Sequence, residues 1–140
     1  MGSGEFGMRE LEQLCKGLAD ATRLRILNLL LHGELCVCDI QYVVDSSQPN
    51  VSRHLTYLKN SGLVVDKREG PRIYYRLAHP QDALRKPLFA FLREAFRQSD
   101  VFADDVRKLR KAIATGSCTV SEWKPYSALI RVRHSAQQNP

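Results

Sequence analysis

Apolar residues recur at helical spacing through the first sixty positions of the chain, and the pattern then switches once to the two-residue period of strands. Between Arg9 and Asp20, Leu11, Leu14, Cys15 and Leu18 lie three and four apart, which predicts a short amphipathic helix with Cys15 in its packed stripe. Asp20 offers an N-cap to a second helix carrying Leu24, Ile26, Leu27 and Leu30 and ending at His32-Gly33. A third, short helix is predicted from about Val37 to Val44 on Ile40, Val43 and Val44, and it stops at Asp45-Ser46-Ser47. Ser47 can cap a fourth. Pro49 is tolerated in its first turn, Val51, Leu55 and Leu58 form its inward stripe, and Asn60-Ser61-Gly62 ends it.

Leu63 to Arg68 and Arg72 to Leu77 are β-rich runs joined by Glu69-Gly70-Pro71, which predicts a hairpin. Helical spacing returns after His79-Pro80 and runs through Phe96 on Leu84, Leu88, Phe91, Leu92 and Ala95, then again from Ser99 to Ala114 on Val106, Leu109 and Ile113. Three helices followed by a hairpin describe a mainly α fold with a β-hairpin wing, a winged helix-turn-helix, whose third and fourth helices form the helix-turn-helix pair. Residues 1–7, ahead of Met8, read as a cloning scar. Residues 8–98 then form the winged helix-turn-helix and dimerisation domain, 99–118 a C-terminal helix with a cysteine, and 119–140 an extended tail. The helices around 9–19 and 82–97 carry more apolar surface than a small monomer core needs, so a homodimer is expected.

Charge narrows the function classes. The chain has 21 basic and 15 acidic residues, a net +6, and a basic excess suits a polyanion. From Ser47 to His79, Arg53, Lys59, Lys67, Arg68, Arg72 and Arg76 face only Asp66 and Glu69, so +4 of that excess falls on the fourth helix and the hairpin. Gln48 and Ser52 lie at the helix N-terminus, Asn50, Arg53 and Tyr57 oppose the apolar stripe, and His54 flanks them. Gln and Asn can pair bidentately with adenine and Arg with guanine. Lys59, Arg68 and Arg72 suit phosphate contact, with Arg68 and Arg72 also suited to the minor groove. The bland alternative is a solvated polar face beside a basic hairpin, but its position on the second helix of the motif favours double-stranded DNA. The longest apolar run, Ile26 to Leu31, is broken by Asn28 and is too short to span a membrane. With no signal-peptide pattern, a cytoplasmic protein with reduced thiols is expected.

Those thiols include the pair in Glu34-Leu35-Cys36-Val37-Cys38-Asp39-Ile40. In a regular helix residues two apart differ by ~200° in azimuth, so the pair can share one ion only if the first turn is irregular or is pulled open. A helix start favours the thiolate, and two thiolates without a neighbouring histidine suit soft ions.

The string Glu34 to Ile40 resembles the metal-binding box of the ArsR/SmtB repressors, and Ser47-Gln48-Pro49-Asn50-Val51-Ser52-Arg53-His54-Leu55 resembles their recognition helix. Leu18 to Leu27 is similar to their opening, so the resemblance spans about Leu11 to Leu77. It is strongest to the arsenite/antimonite-responsive branch. It implies a homodimeric repressor, with no enzymatic activity, that holds its operator as apoprotein and leaves DNA when thiolates bind As(III) or Sb(III). That branch often carries a third cysteine where this chain has Gln41. A third ligand must then come from Cys118, from Cys15 or from an external thiol, unless the site has only two. The zinc-sensing relatives use histidines on the helix corresponding to 82–97, which here has Asp82 and no histidine. A Cd(II)/Pb(II)-responsive repressor and a thiol redox-sensing repressor remain alternatives. A thiol oxidoreductase is a distant one, since no βαβ pattern carries the pair.

Overall fold

The computed structural model describes residues 7–115. Within them the chain runs α1 (Met8–Leu18), α2 (Ala21–Leu30), β1 (Leu35–Cys36), α3 (Val37–Val44), α4 (Gln48–Asn60), β2 (Val64–Glu69), β3 (Arg72–Leu77), α5 (Arg85–Phe96) and α6 (Asp100–Thr115). The fold is the expected winged helix-turn-helix. One element escaped the pattern: β1, two residues long, adds to the hairpin and makes a three-stranded antiparallel sheet in the order β1-β3-β2. The last two helices also differ at their edges. The Asp82 carboxylate accepts from the backbone N–H groups of Leu84 and Arg85 at 3.1 and 2.7 Å, and α5 begins only at Arg85.

The middle of the molecule is α2. Ile26, Leu27, Leu29 and Leu30 are fully buried, so this helix is apolar nearly all round rather than amphipathic. Onto it pack Leu14 of α1, Ile40 and Val43 of α3, Leu55 and Leu58 of α4, Leu35 of β1, and Phe89, Leu92 and Leu109 from the last two helices, as one continuous core. The Phe96 and Phe102 rings, 4.3 Å apart, close the α5–α6 corner. Arg25 fixes α6 to α2 with two hydrogen bonds donated to Asp105, at 2.7 and 2.9 Å, and Asn28 donates to the Phe102 carbonyl at 3.0 Å. Along α3, Lys108 donates to the carbonyl of Val43 at 3.3 Å.

Two glycines let α1 and α5 close on the turn that ends α4. A Cβ on Gly17 would lie 2.5 Å from Leu63 and 2.9 Å from Ser61, so only glycine allows α1 this approach. Gly62 has φ +84°, and a Cβ there would meet Arg85 at 2.8 Å. Arg85, itself buried, donates to the Gly62 carbonyl at 2.7 Å and to Asp82 and Glu10 at 2.8 and 3.1 Å. On the outer side of the same two helices Met8, Leu11 and Phe91 are exposed, Phe91 by 64%, which fits the expected dimer faces. Among the described residues no helix is long and apolar enough to cross a membrane.

Candidate metal centre and nucleic-acid interface

The cysteine pair sits at a strand-to-helix junction. Cys36 is extended, with φ −78° and ψ 151°, and serves as the N-cap residue of α3, while Cys38 belongs to the first turn. Because Cys36 lies outside the helix, the ~200° separation does not apply, and the two Sγ atoms lie 3.3 Å apart. The start of α3 is thus irregular in the way that sharing one ion requires, and the junction already brings the sulfurs together. Two sulfurs this close can both reach one soft ion through bonds of ~2.3 Å, so the donor set fits such a ligand. Cys36 is buried and Cys38 half-buried.

Next to the pair, Asp39 is fully buried, and among the described residues neither of its carboxylate oxygens has a hydrogen-bond partner. Burial pushes its pKa up to about 6, against the opposing pull of the Arg72 guanidinium. Nothing in the sequence pattern marked this carboxylate, since an Asp in a first helical turn ordinarily faces solvent and the N-terminal dipole. Among the described residues no three His, Cys, Asp or Glu side chains converge to hold a metal. Cys15 is corrected as well: it is exposed on α1 rather than packed in the core. Its neighbours at helical spacing, Leu11 and Leu18, are exposed and half-buried, so the stripe that looked like core is an outer face. Cys118 lies outside the described residues.

The recognition helix is built as its sequence reads. Ser47 accepts a capping hydrogen bond from the Asn50 N–H at 3.3 Å, and Val51, Leu55 and Leu58 are buried. The predicted contact residues divide into two groups. Gln48 and Arg53 are exposed at the N-terminal end, with Asn50 and Ser52 half-buried between them. Asn50 donates to Ser46 at 2.7 Å and accepts from Arg53, and Gln48 donates weakly to Ser52 at 3.4 Å. His54 and Tyr57 instead tie the helix to its neighbours. His54 Nδ1 lies 3.6 Å from the Asp20 carboxylate that caps α2. The Tyr57 ring lies under the Arg23 guanidinium at 4.0 Å. Arg23 is buried and donates to the Gly17 and Lys16 carbonyls at the end of α1, at 2.9 and 3.0 Å. Its place one turn before the buried Ile26 and Leu27 was the available signal for this clamp. Thr56, exposed on the same helix, is a further surface position that the polar pattern passed over.

The cations divide similarly. Lys59 is paired with Asp66 at 3.1 Å, and Lys67 with Glu34 and Glu69 at 3.6 and 3.2 Å. Among the described residues no carboxylate lies within salt-bridge distance of Arg53, Arg68, Arg72 or Arg76, so the local +4 resides on these four guanidiniums. Arg68 is exposed near the hairpin tip, and Arg72 is half-buried opposite Glu69.

Comparison with known proteins agrees with this geometry. Residues 20–65 match the family described as "Bacterial regulatory protein, arsR family". The chain is 54% identical over 67 residues to the arsenical resistance operon repressor of Escherichia coli K12, covering 47% of this chain and 57% of that one. It is 42% identical over 69 residues to a cadmium resistance transcriptional regulatory protein CadC homolog of Staphylococcus aureus, covering 49% and 57%. It thus spans a little over half the length of these relatives. Among solved structures, the homodimeric winged helix-turn-helix DNA-binding domain (fragment 1–100) from Mycobacterium bovis superposes with a TM-score of 0.58 at 31% identity, over 69% of this chain and 92% of that one. A helix-turn-helix segment of that family, set in its winged fold and matched across most of a solved domain, places this chain in the ArsR family of bacterial regulatory proteins.

Proposed function

We propose that this chain is a cytoplasmic metal(loid)-responsive transcriptional repressor, not an enzyme. Its homodimer holds operator DNA as apoprotein and leaves it when As(III) or Sb(III) binds the thiolates of Cys36 and Cys38 in the reduced protein. The 3.3 Å sulfur separation at the strand-to-helix junction carries this reading, and the similarity to an arsenical resistance repressor supports it. In DNA binding, Gln48, Asn50, Ser52 and Arg53 read base edges. Lys59, Arg68 and Arg72 hold phosphates, while His54 and Tyr57 fix the pose of the helix that carries the readers.

Cys118 supplies the third thiolate. Lys108 of α6 reaches Val43 near the end of α3, and Arg25 lies under the charges of both Asp105 on α6 and Asp45 just past α3. The later residues of α6 thus run beside the earlier residues of α3, and α6 ends at Thr115, three positions before Cys118. The alternative donor, Cys15, lies on the outer face of α1 with Leu11. Release from DNA to a few per cent occupancy needs a coupling of only about 2–3 kcal/mol.

A Cd(II)- or Pb(II)-responsive repressor is the second reading, favoured by the similarity to a cadmium resistance regulator. Fluorescence anisotropy of a labelled DNA fragment from upstream of the gene, titrated with arsenite, antimonite, cadmium and zinc against each single Cys→Ser variant, separates the two. Release by arsenite that needs Cys36, Cys38 and Cys118 is the expected result. Release that survives in Cys36→Ser/Cys38→Ser would overturn the assignment, and reversal by a reductant alone would show redox sensing instead.

A further inference from the structure

We propose that the thiol pair is wired to the wing: an ion held at Cys36 and Cys38 displaces β3 through its pairing with β1, so that Arg72 is the first DNA contact the inducer disturbs. This rests on the function proposed above and names the route of its regulation.

The route is set by register. Cys36 lies opposite Tyr74, and Leu35 opposite Tyr75, in an antiparallel pair. Leu35 and Tyr75 are both buried, so the short strand is anchored in the core and cannot slide without moving β3. Arg72 is the first residue of β3, two positions before Tyr74. Cys36 is thereby held against the N-terminal half of β3. From Arg72 the hairpin continues as six paired positions down to Val64 and Leu77, so a shift at its start carries the whole wing.

The recognition helix is further away. Along the chain, a displacement at Cys36 reaches it through the eight residues of α3 and around Asp45, whose left-handed φ of 54° turns the chain toward the Ser47 cap. The wing is one backbone pairing from the sulfurs, whereas the recognition helix is two helical turns away. In a winged fold both elements contact DNA, so disturbing the nearer one is sufficient to weaken the complex.

Amide hydrogen exchange on the full reduced chain tests this, with arsenite and Cd(II) as separate arms and occupancy followed by thiolate absorbance. Saturation with the bound ion should change exchange across Ile73, Tyr74 and Tyr75 at least tenfold, with a change below threefold along α4. In DNA titrations, Arg72→Ala should weaken the ion-free complex and lower the ratio of ion-free to ion-bound affinity at least fivefold relative to the native chain. Arg53→Ala should weaken both states alike and leave that ratio in place. A silent wing with a responding α4, or a native ratio in Arg72→Ala, overturns the relay while leaving the proposed function standing. Absence of thiolate absorbance with both ions overturns the proposed function and the relay with it.

Discussion

The recognition helix and the thiol junction are built on opposite plans. On α4 every conspicuous polar group has a partner or faces water: Ser47 caps, Asn50 bridges Ser46 and Arg53, His54 leans on Asp20, and Tyr57 lies under Arg23. At the junction a carboxylate is buried with no hydrogen-bond partner among the described residues, beside two sulfurs 3.3 Å apart. Satisfied polar networks fix one geometry, whereas an unsatisfied buried group leaves a region with little to lose when it rearranges. On the function proposed above, the reader is preorganised and the sensor is poised. The largest expected effect follows from that division: with Cys36→Ser/Cys38→Ser, the operator complex should persist at arsenite concentrations that dissociate the native complex a hundredfold. Anisotropy titration measures it, and dissociation at native concentrations would mean that the junction is not the sensor.

The same division explains what was legible in the sequence. The α4 cap, stripe and contact residues follow from local rules, because Ser47, Pro49 and the Val51/Leu55/Leu58 spacing act within one helix. The two thiols were also legible as a pair, but their geometry was not. β1 has only two residues and owes its existence to β3, nearly forty positions later, so no periodicity announces it. For the same reason helical azimuths do not describe Cys36, which lies just outside the helix. Cys15 failed for a different cause: an apolar stripe shows that a face is covered without showing whether the chain itself or a second copy covers it. The clamps of Arg23 and Arg85 on backbone carbonyls depend on tertiary approach and leave only the faint signal of an arginine within an apolar pattern.

Arg85 probes the stability of the reader's base. Arg85→Ala removes bonds to Gly62, Asp82 and Glu10 from a buried site. It should cost about 3 kcal/mol, because the Gly62 carbonyl loses a charged donor. Urea denaturation followed by circular dichroism reads this, and a loss under 1 kcal/mol would show that the turn after α4 does not depend on the clamp. Arg53→Ala should weaken operator binding by about 1–3 kcal/mol if Arg53 pairs with a base. Arg68→Ala should act on all sequences alike and reduce the salt dependence of binding by about one counterion. Equal specificity loss in both would erase the distinction between helix and wing. Ser47→Ala removes the α4 cap and should cost about 1 kcal/mol, with thiolate absorbance on arsenite binding unaffected, since the cap lies beyond the far end of α3.

The smallest effect concerns the scaffold that both regions share. His32, half-buried after α2, has its pKa held below the usual histidine value by burial and by the nearby charges of Arg110 and Arg93. The folded chain therefore binds a proton less readily here than the unfolded chain does. As pH falls below about 6.5 the unfolded state protonates first, so this group's contribution to stability is present above that pH and is lost as pH drops through the window. His32→Gln should flatten the dependence between pH 7 and 5.5 while leaving the stability at pH 7.5 close to native. Denaturation midpoints across that range measure it, and an unchanged slope in the variant would assign the dependence to another group. Because His32 faces α5 and α6 through those two arginines rather than the sulfurs or α4, its titration should lower the stability of reader and sensor together. A pH effect that altered arsenite response without altering the unfolding midpoint would have to originate at the thiol junction itself.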